Sequence, residues 1–524
     1  MKEEIIIRLS PKDATDEKAI KSLVAAQLKI AVSEIAEIRI RHRSIDARRH
    51  PVTVQLHVNV FTGKHETDEP SAQFDYKNVS SASEVLIVGA GPAGLFAALR
   101  LIELGLKPVL IERGKDVSER KKDIALLNRN NPVNPESNYA FGEGGAGAFS
   151  DGKLNTRSKK RGSIERILEI FHFHGADKDI LIDALPHIGT NKLPEVIKNI
   201  RQTIIDAGGE IRFNTRMDDI IIENRTVKGI ITQSAEKIFA KAVILATGHS
   251  ARDVYELLYR KEIALEFKPF AMGVRVEHPQ SLIDRIQYHN PDGRGEYLPA
   301  ANYSFTCQAK ERGVYSFCMC PGGYIVPAAT RDGEMVVNGM SASTRNSPYA
   351  NSGIVVEIRR EDIHGFDQFG TLAGLMYQRD VEQNCFTNGG ANIIAPAQRL
   401  TDFVNRRLSF DLPECSYIPG VVSAPLHFIL PPPITERLIE GFKMFGRWAK
   451  GFLTDEAIVL GTESRTSSPV RIPRDKETLM HTEIQGLFPC GEGSGYAGGI
   501  VSSAVDGERC AEEVKSYELR VKNS

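Results

Sequence analysis

VLIVGAGPAGLFAALRL, residues 85–101, reads as a buried strand, a glycine loop and the first turns of an apolar helix. Gly89, Gly91 and Gly94 set the pattern G-x-G-x-x-G on that strand–helix border, with Ala90, Pro92 and Ala93 filling the loop. The first glycine permits a tight turn, the second lets backbone approach a pyrophosphate, and the third lets helix and strand pack closely. Phosphates would then lie over the helix N-terminus, where free amides and the dipole favour negative charge. A second strand, PVLIE (108–112), ends in Glu112, 23 residues after Gly89 and so placed to bond the hydroxyl of an adenosine ribose. Arg113 either covers the adenine or faces water. The stretch predicts an α/β dinucleotide-binding unit.

Composition bounds the rest. A chain of 524 residues is too long for one core and calls for two or three domains. Lys plus Arg number 66 against 67 Asp plus Glu, a net charge of -1 that argues against whole-protein attraction to nucleic acid or an acidic membrane. MKEEIIIRLS lacks the positive charge and long apolar run of a secretory signal. The uncharged stretch 415–435 holds five prolines and cannot be a membrane helix. Seven cysteines, an odd number, read as reduced thiols. A cytoplasmic protein is expected, with no membrane partner, no metal centre and an oligomeric state the sequence does not specify.

Residues 1–62 read as a small α+β domain, ferredoxin-like in outline. Alternation at Ile5, Ile7 and Leu9, a helical face at Ile20, Leu23, Val24 and Leu28, and alternation again over 37–43 and 52–60 give strand, helix, strand, strand. Arg39, Arg41 and Arg43 share a face there. No aromatic residues interleave with them, so contact with nucleic acid is less expected than a solvated face or one packed on an acidic neighbour. Residues 63–83 read as a linker and 84–265 as the first part of the nucleotide-binding domain. Within it, IRFN, DDIIIE, VKGIIT, KIFA and AVILA form a β-meander that rejoins the main sheet. Residues 266–474, rich in Gly and Pro, form an inserted α+β substrate domain, and 475–524 return to the first.

Three ordered segments carry a resemblance: GAGPAG followed by ER, then Ala246-Thr247-Gly248, then Gly491-Glu492 and Gly498-Gly499 before a helix. Together they resemble flavoproteins of the glutathione reductase superfold. PHIGT (186–190), ILATGHSARD (244–253), CMCPGG (318–323), RTSSPVRI (465–472) and CGEGSGYAGGIVSSAVDG (490–507) narrow the resemblance to a bacterial group of predicted FAD-dependent dehydrogenases. That group is related to flavoproteins that include a bile-acid reductase, and it covers nearly the whole chain. The resemblance implies FAD as cofactor. It implies that Glu492, where the superfold usually has Asp, bonds the ribityl chain. It also implies that Gly498, Gly499 and Ile500 aim a helix N-terminus at the flavin, and that Met217 meets adenine. The loop FGEGGAGAFSDGKLNTR (141–157) would lie against pyrophosphate and ring, with Gly144, Gly145, Ala148 and Ser150 as contacts.

No second G-x-G-x-x-G follows Gly248 on a strand–helix border, so a separate nicotinamide domain is not expected, and NADH or NADPH would serve as a transient donor. Cys318-Met319-Cys320 is C-x-C, not C-x-x-C. A bridge between them would be strained and small packed thiols are the default, but one of the two lines the substrate pocket if the PGG that follows is a turn beside the flavin. Lys153, beside the glycine loop, either bonds flavin N5 or substrate or is solvated, the second being the expectation, while Arg465 either binds an anion or forms a structural ion pair. His172 and His174 are expected to pack at a helix end, and His249 receives no role. The sequence therefore predicts an FAD-dependent oxidoreductase passing hydride through flavin N5 to or from a small substrate. The alternative is a flavoprotein serving a macromolecule, such as RNA, through its basic N-terminal domain. No catalytic residue is assigned.

Overall fold

The computed structural model describes residues 2–63, 73–129, 132–156 and 162–523. Parts of the linker (64–72) and the end of the 141–157 loop (residue 157) lie outside the described residues.

The chain opens with strand Lys2–Leu9, helix Glu17–Leu28 and strands Ile35–Asp46 and Thr53–Thr62. Thr53–Thr62 lies between the other two, antiparallel to both, which gives the β-α-β-β portion of a ferredoxin-like unit. Alternating residues build its core: Ile7, Leu56, Val58 and Val60 meet Val24 of the helix. Asp16 caps that helix, its side chain accepting from the Lys18 amide at 2.9 Å. The unit docks through Arg43. Its backbone exchanges hydrogen bonds with Ile182 and Ala184, and its guanidinium reaches Asp183 at 2.6 Å and Asp179 at 2.8 Å. The expected acidic neighbour of the arginine face is thus the 3-10 turn Lys178–Leu181 and the residues after it. Arg39 pairs with Glu37 and lies 4.7 Å over the Phe61 ring.

A five-stranded parallel sheet follows, in the order Leu487–Pro489, Val243–Leu245, Glu84–Val88, Lys107–Ile111, Glu210–Arg212. Its inner strands are continuous apolar runs because both faces are covered: Val85, Ile87 and Leu110 pack with the helices around Phe96 and Val514, and Leu86, Val88 and Val109 pack with the meander around Ile220 and Ile230. Helix Pro92–Glu103 packs closely against the last helix, Ile500–Asn523, at Gly507, where a Cβ would stand 2.1 Å from the Ala93 carbonyl oxygen. One detail corrects the sequence reading. IRFN does not begin the meander; residues 210–212 extend the parallel sheet, and the antiparallel meander is Met217–Glu223, Thr226–Thr232 and Lys237–Phe239. The sheet offered a free edge beside Lys107–Ile111, and a third parallel strand closes it.

Residues 270–463 contribute a second sheet of seven strands. Its order is Thr306–Ala309, Arg312–Cys320, Tyr349–Ile358, Phe270–Pro279, Ile458–Glu463, Ala395–Arg399, Val421–Ser423. Only the last pair is parallel. Helices Ala373–Asn388 and Pro432–Trp448 pack on it, the second around Phe442, Phe445 and Phe452, all fully buried. The chain leaves and returns side by side, since Glu266–Phe267 pairs antiparallel with Val470–Arg471. Among the described residues no helix is long and apolar enough to cross a membrane.

Replacing Arg43 with Glu puts like charges against Asp179 and Asp183. The expected outcome is faster amide hydrogen exchange across residues 35–62 and a stability loss of about 1 kcal/mol, since the pair is partly solvated. Unchanged exchange would show that the ion pairs do not hold the unit in place.

Candidate functional site

The site is built on one buried carboxylate. Strand Lys107–Ile111 delivers Glu112 to the top of the parallel sheet with 6% of its surface exposed. Its Oε2 accepts from the Ala90 amide at 2.9 Å; its Oε1 accepts from the amides of Gly114 at 2.9 Å and Gly142 at 3.0 Å. One side chain therefore ties the first glycine loop to the second. A carboxylate offers about four acceptor positions, so Oε2 keeps one for a further donor. Two close approaches make the loops fit each other. A Cβ on Gly94 would stand 1.9 Å from the Gly89 carbonyl oxygen, so helix and strand meet as the motif requires. A Cβ on Gly145 would stand 3.1 Å from Gly91 Cα, with Gly145 in the left-handed region at φ 58°.

The second loop is clamped from behind by Arg120, which sequence reasoning missed. Fully buried, it donates to the carbonyls of Asn138 (2.8 Å), Tyr139 (2.9 Å), Gly142 (3.2 Å) and Glu143 (2.7 Å). Burial pushes its guanidinium down to about 10. Nearby Glu143, also buried, is pushed up to about 7 by desolvation, although it accepts from the Val117 amide and from Arg201.

These loops open on a cavity of about 780 Å³, within the range of small-molecule and cofactor sites. Of the residues expected to contact a cofactor, Gly89, Gly91, Pro92, Ala93, Glu112 and Arg113 line it from the first loop and strand. Gly145 and Ser150 line it from the second loop, and Met217 from the meander. Ala246, Thr247, Gly248, Glu492, Gly498, Gly499 and Ile500 complete the wall. Five expected residues do not line it. Ala90 and Gly94 form the turn's framework, Ala90 through its bond to Glu112 and Gly94 through its contact with Gly89. Gly144 is covered by Ile197 and Ala148, and Ala148 is itself fully buried core. The Gly491 amide faces away to Asp506, at 2.8 Å.

Other expectations are corrected. Lys153 is not solvated; it pairs with Asp151 at 3.0 Å and lines the cavity beside Cys318. Of the two cysteines, Cys318 is the one that lines the cavity, as the reading with a PGG turn beside the flavin allows, and Cys320 is packed away. Arg113 neither faces water nor lies free. It bonds Glu136 at 2.7 Å and Asp253 at 3.0 Å, and lies 4.3 Å over the Phe141 ring. Arg465 takes the structural role among its two readings, reaching Glu334 at 2.6 Å and Glu382 at 3.1 Å, though it too lines the cavity. Arg252 shares the Glu382 carboxylate, and the two guanidinium groups hold that acid down at about 2 against its desolvation. His249, unassigned from sequence, lines the cavity 3.6 Å from Glu492 and hydrogen-bonds the Arg465 carbonyl at 3.0 Å. His172 and His174 bond nearby backbone carbonyls, as helix-end packing requires.

Cys490, Asp506 and Cys510 come together in the core, but Asp506 already carries a bidentate bond from buried Arg474, at 2.6 and 2.9 Å.

The wall fits FAD: two glycine loops approach each other, a helix N-terminus without a side-chain cap borders the cavity, and a strand-end carboxylate keeps an open acceptor. Comparison with known proteins agrees. Residues 269–466 match the family described as FAD-dependent protein, C-terminal domain-like, and residues 82–129 match an FAD binding domain. The chain belongs to this family of FAD-dependent proteins. It is a flavoprotein with FAD as cofactor and a Rossmann-like FAD-binding fold. Residues 1–61 match a domain of unknown function. An uncharacterized protein of Clostridium beijerinckii is 40% identical over 518 residues, covering 95% of this chain and 96% of its own. A thiamine thiazole synthase of Aeropyrum pernix is 26% identical over 211 residues, covering 37% of this chain and 66% of its own. Among solved structures, CtdE in complex with FAD is 13% identical, covers 84% of this chain and 89% of its own, and has a TM-score of 0.32. A score that low says nothing about the site.

Replacing Arg120 with Met leaves four loop carbonyls without their buried donor. The expected cost is about 3 kcal/mol, read as a lower urea midpoint with unchanged slope. A midpoint within error of the parent would show that the clamp is dispensable.

Proposed function

We propose that the FAD-dependent oxidoreductase activity of this chain passes hydride to or from a small molecule admitted to the cavity, with NADH or NADPH as a transient donor. The observation that carries the reading is the convergence of four segments, around Gly89, Gly145, Gly248 and Ile500, on one cavity wall. In this reading the open acceptor of Glu112 takes the ribose hydroxyl, and the N-terminus of helix Pro92–Glu103 faces the pyrophosphate. Glu492 takes a ribityl hydroxyl, and Met217 borders the adenine. When bound, FAD supplies two-electron hydride chemistry at N5.

The chain's own part is position and field. Gly498 and Gly499 precede the 24-residue helix Ile500–Asn523, whose N-terminal dipole stabilises negative charge near it without a dedicated cation. His249, held by the Arg465 carbonyl at 3.0 Å, borders that carboxylate at 3.6 Å. The buried Arg252–Glu382–Arg465 group fixes the wall around Arg465 and Thr466, so the substrate side of the cavity is rigid before anything binds. A substrate of nucleic-acid size is not favoured. Arg43 of the basic face is spent on Asp179 and Asp183, and Arg39 on Glu37.

Anaerobic titration of the purified protein with NADH and then NADPH, followed at about 450 nm where flavins absorb, tests the reading. Bleaching by one of the two within the mixing time is expected. A yellow protein that neither donor bleaches would overturn the nicotinamide step, and a colourless one that cannot be reconstituted would overturn the whole assignment.

A further inference from the structure

One stretch of the cavity wall carries chemistry that the proposed FAD contacts leave unused. Lys153 Nζ lies 3.9 Å from Cys318 Sγ and 3.7 Å from Cys320 Sγ. Arg275, fully buried in the central strand Phe270–Pro279, donates to the Cys318 carbonyl at 2.8 Å and lies 3.6 Å from Cys320 Sγ. Two cations from distant parts of the chain thus meet at this pair, Lys153 facing both sulfurs and Arg275 the Cys320 sulfur and the Cys318 carbonyl. Each cation is itself anchored, Lys153 by Asp151 and Arg275 by Glu463 at 3.0 Å.

The backbone is shaped to present them. The pairing of Arg312–Cys320 with Tyr349–Ile358 slips between Phe317 and Cys320, and Cys318 adopts a left-handed φ of 47°. Bulges of this kind re-aim side chains and gather beside functional sites, and a non-glycine residue at such a φ is held there by its surroundings. Cys318 emerges on the cavity wall, partly exposed, while Cys320 stays fully buried behind it. The bulge brings the pair together: the Cys320 thiol lies 3.3 Å from the Cys318 carbonyl, and both sulfurs lie within 3.9 Å of one Lys153 Nζ. The remaining five cysteines lie elsewhere in the sequence, four of them buried.

We propose that Cys318 and Cys320 form a redox-active dithiol that reduces a small disulfide admitted to the cavity, Cys318 attacking and Cys320 resolving. The Cys318 thiolate bonds to one sulfur of R–S–S–R and expels the other as a thiolate. Cys320 then gives up its proton, its sulfur bonds to Cys318, and the second RS⁻ leaves. The balance is one substrate disulfide and two protein thiols converted to two RSH and one Cys318–Cys320 disulfide, with two electrons passed to the substrate. Bound FAD, in its reduced form, would supply the two electrons and two protons that return the pair to the dithiol, since Cys318 shares the cavity wall with the glycine loops. The inference deepens the proposed function by naming its substrate class, and it rests on that reading for the return step alone.

Charge supports the division of labour. The neighbouring Cys320 thiol, with Lys153 and Arg275, pulls Cys318 well below the usual thiol range, and the neighbouring Cys318 together with burial raises Cys320, whose thiol donates to the Cys318 carbonyl at 3.3 Å. The accessible sulfur is therefore the nucleophile and the buried one holds the proton.

The test equilibrates the holoprotein in glutathione buffers from fully reduced to fully oxidised. Samples are quenched in acid, denatured and alkylated, and the peptide holding both cysteines is weighed. The expected result is paired loss of two alkylatable thiols as an internal disulfide, with the other five still free. Cys320→Ser protein should retain glutathione on Cys318, Cys318→Ser protein should carry none on Cys320, and Lys153→Met should slow exchange about tenfold. Both thiols remaining free in the most oxidising buffer would overturn the proposal, and the parent protein alone decides this if a variant fails to fold. Absorbance of the same samples keeps the two readings apart. A colourless protein that still forms the bridge sinks the flavin assignment, and a yellow one with free thiols sinks the dithiol.

Discussion

The Glu112 carboxylate, buried and bonded to three backbone amides, is the constraint on which the site depends. The amides of Ala90, Gly114 and Gly142 belong to the first glycine loop, to the turn after the second strand and to the second glycine loop. Hydrogen bonds from amides to an ionised acceptor are among the stronger ones in proteins, about 1.5–3 kcal/mol each. Three of them on one group also answer the desolvation that would otherwise expel a carboxylate from this place. The second loop is thus held from the front by an anion and from the back by the Arg120 guanidinium, which collects its carbonyls. Neither side chain need move for a cofactor to enter.

What the sequence made legible was local. A strand, a glycine turn and a helix N-terminus lie within seventeen residues, and each step has a known physical reason, so Gly89 to Glu112 could be read directly. The N-terminal unit was equally readable because its core alternates along single strands. The seven-stranded sheet was not, because its pairings are distant: Gly273 lies opposite Glu463, and Ala397 opposite Leu460. Its central strand, FAMGVRVEHP, is buried on both faces and so shows no alternation to read.

The same reason explains the missed site residues. Arg120 bonds only main-chain carbonyls, and no residue pattern announces that. His249 gains its meaning from Glu492, more than two hundred positions later. Cys318 and Cys320 looked like packing because the cations that face them, Lys153 and Arg275, come from two other segments. For Cys318, the one available hint was CMC placed directly before PGG, a strand about to turn. Ala148 and Gly144 illustrate the converse: loop membership was right, yet both serve the core behind the wall.

The most direct measurement is FAD retained per polypeptide after gel filtration, in the parent and in Glu112→Gln protein. Glutamine matches the size of glutamate but turns an NH₂ toward amide donors, so it cannot satisfy the cluster. The account predicts a yellow parent near one FAD per chain, and a folded variant that loses most of its colour and refills only weakly. Full, tightly held FAD in the variant would contradict it.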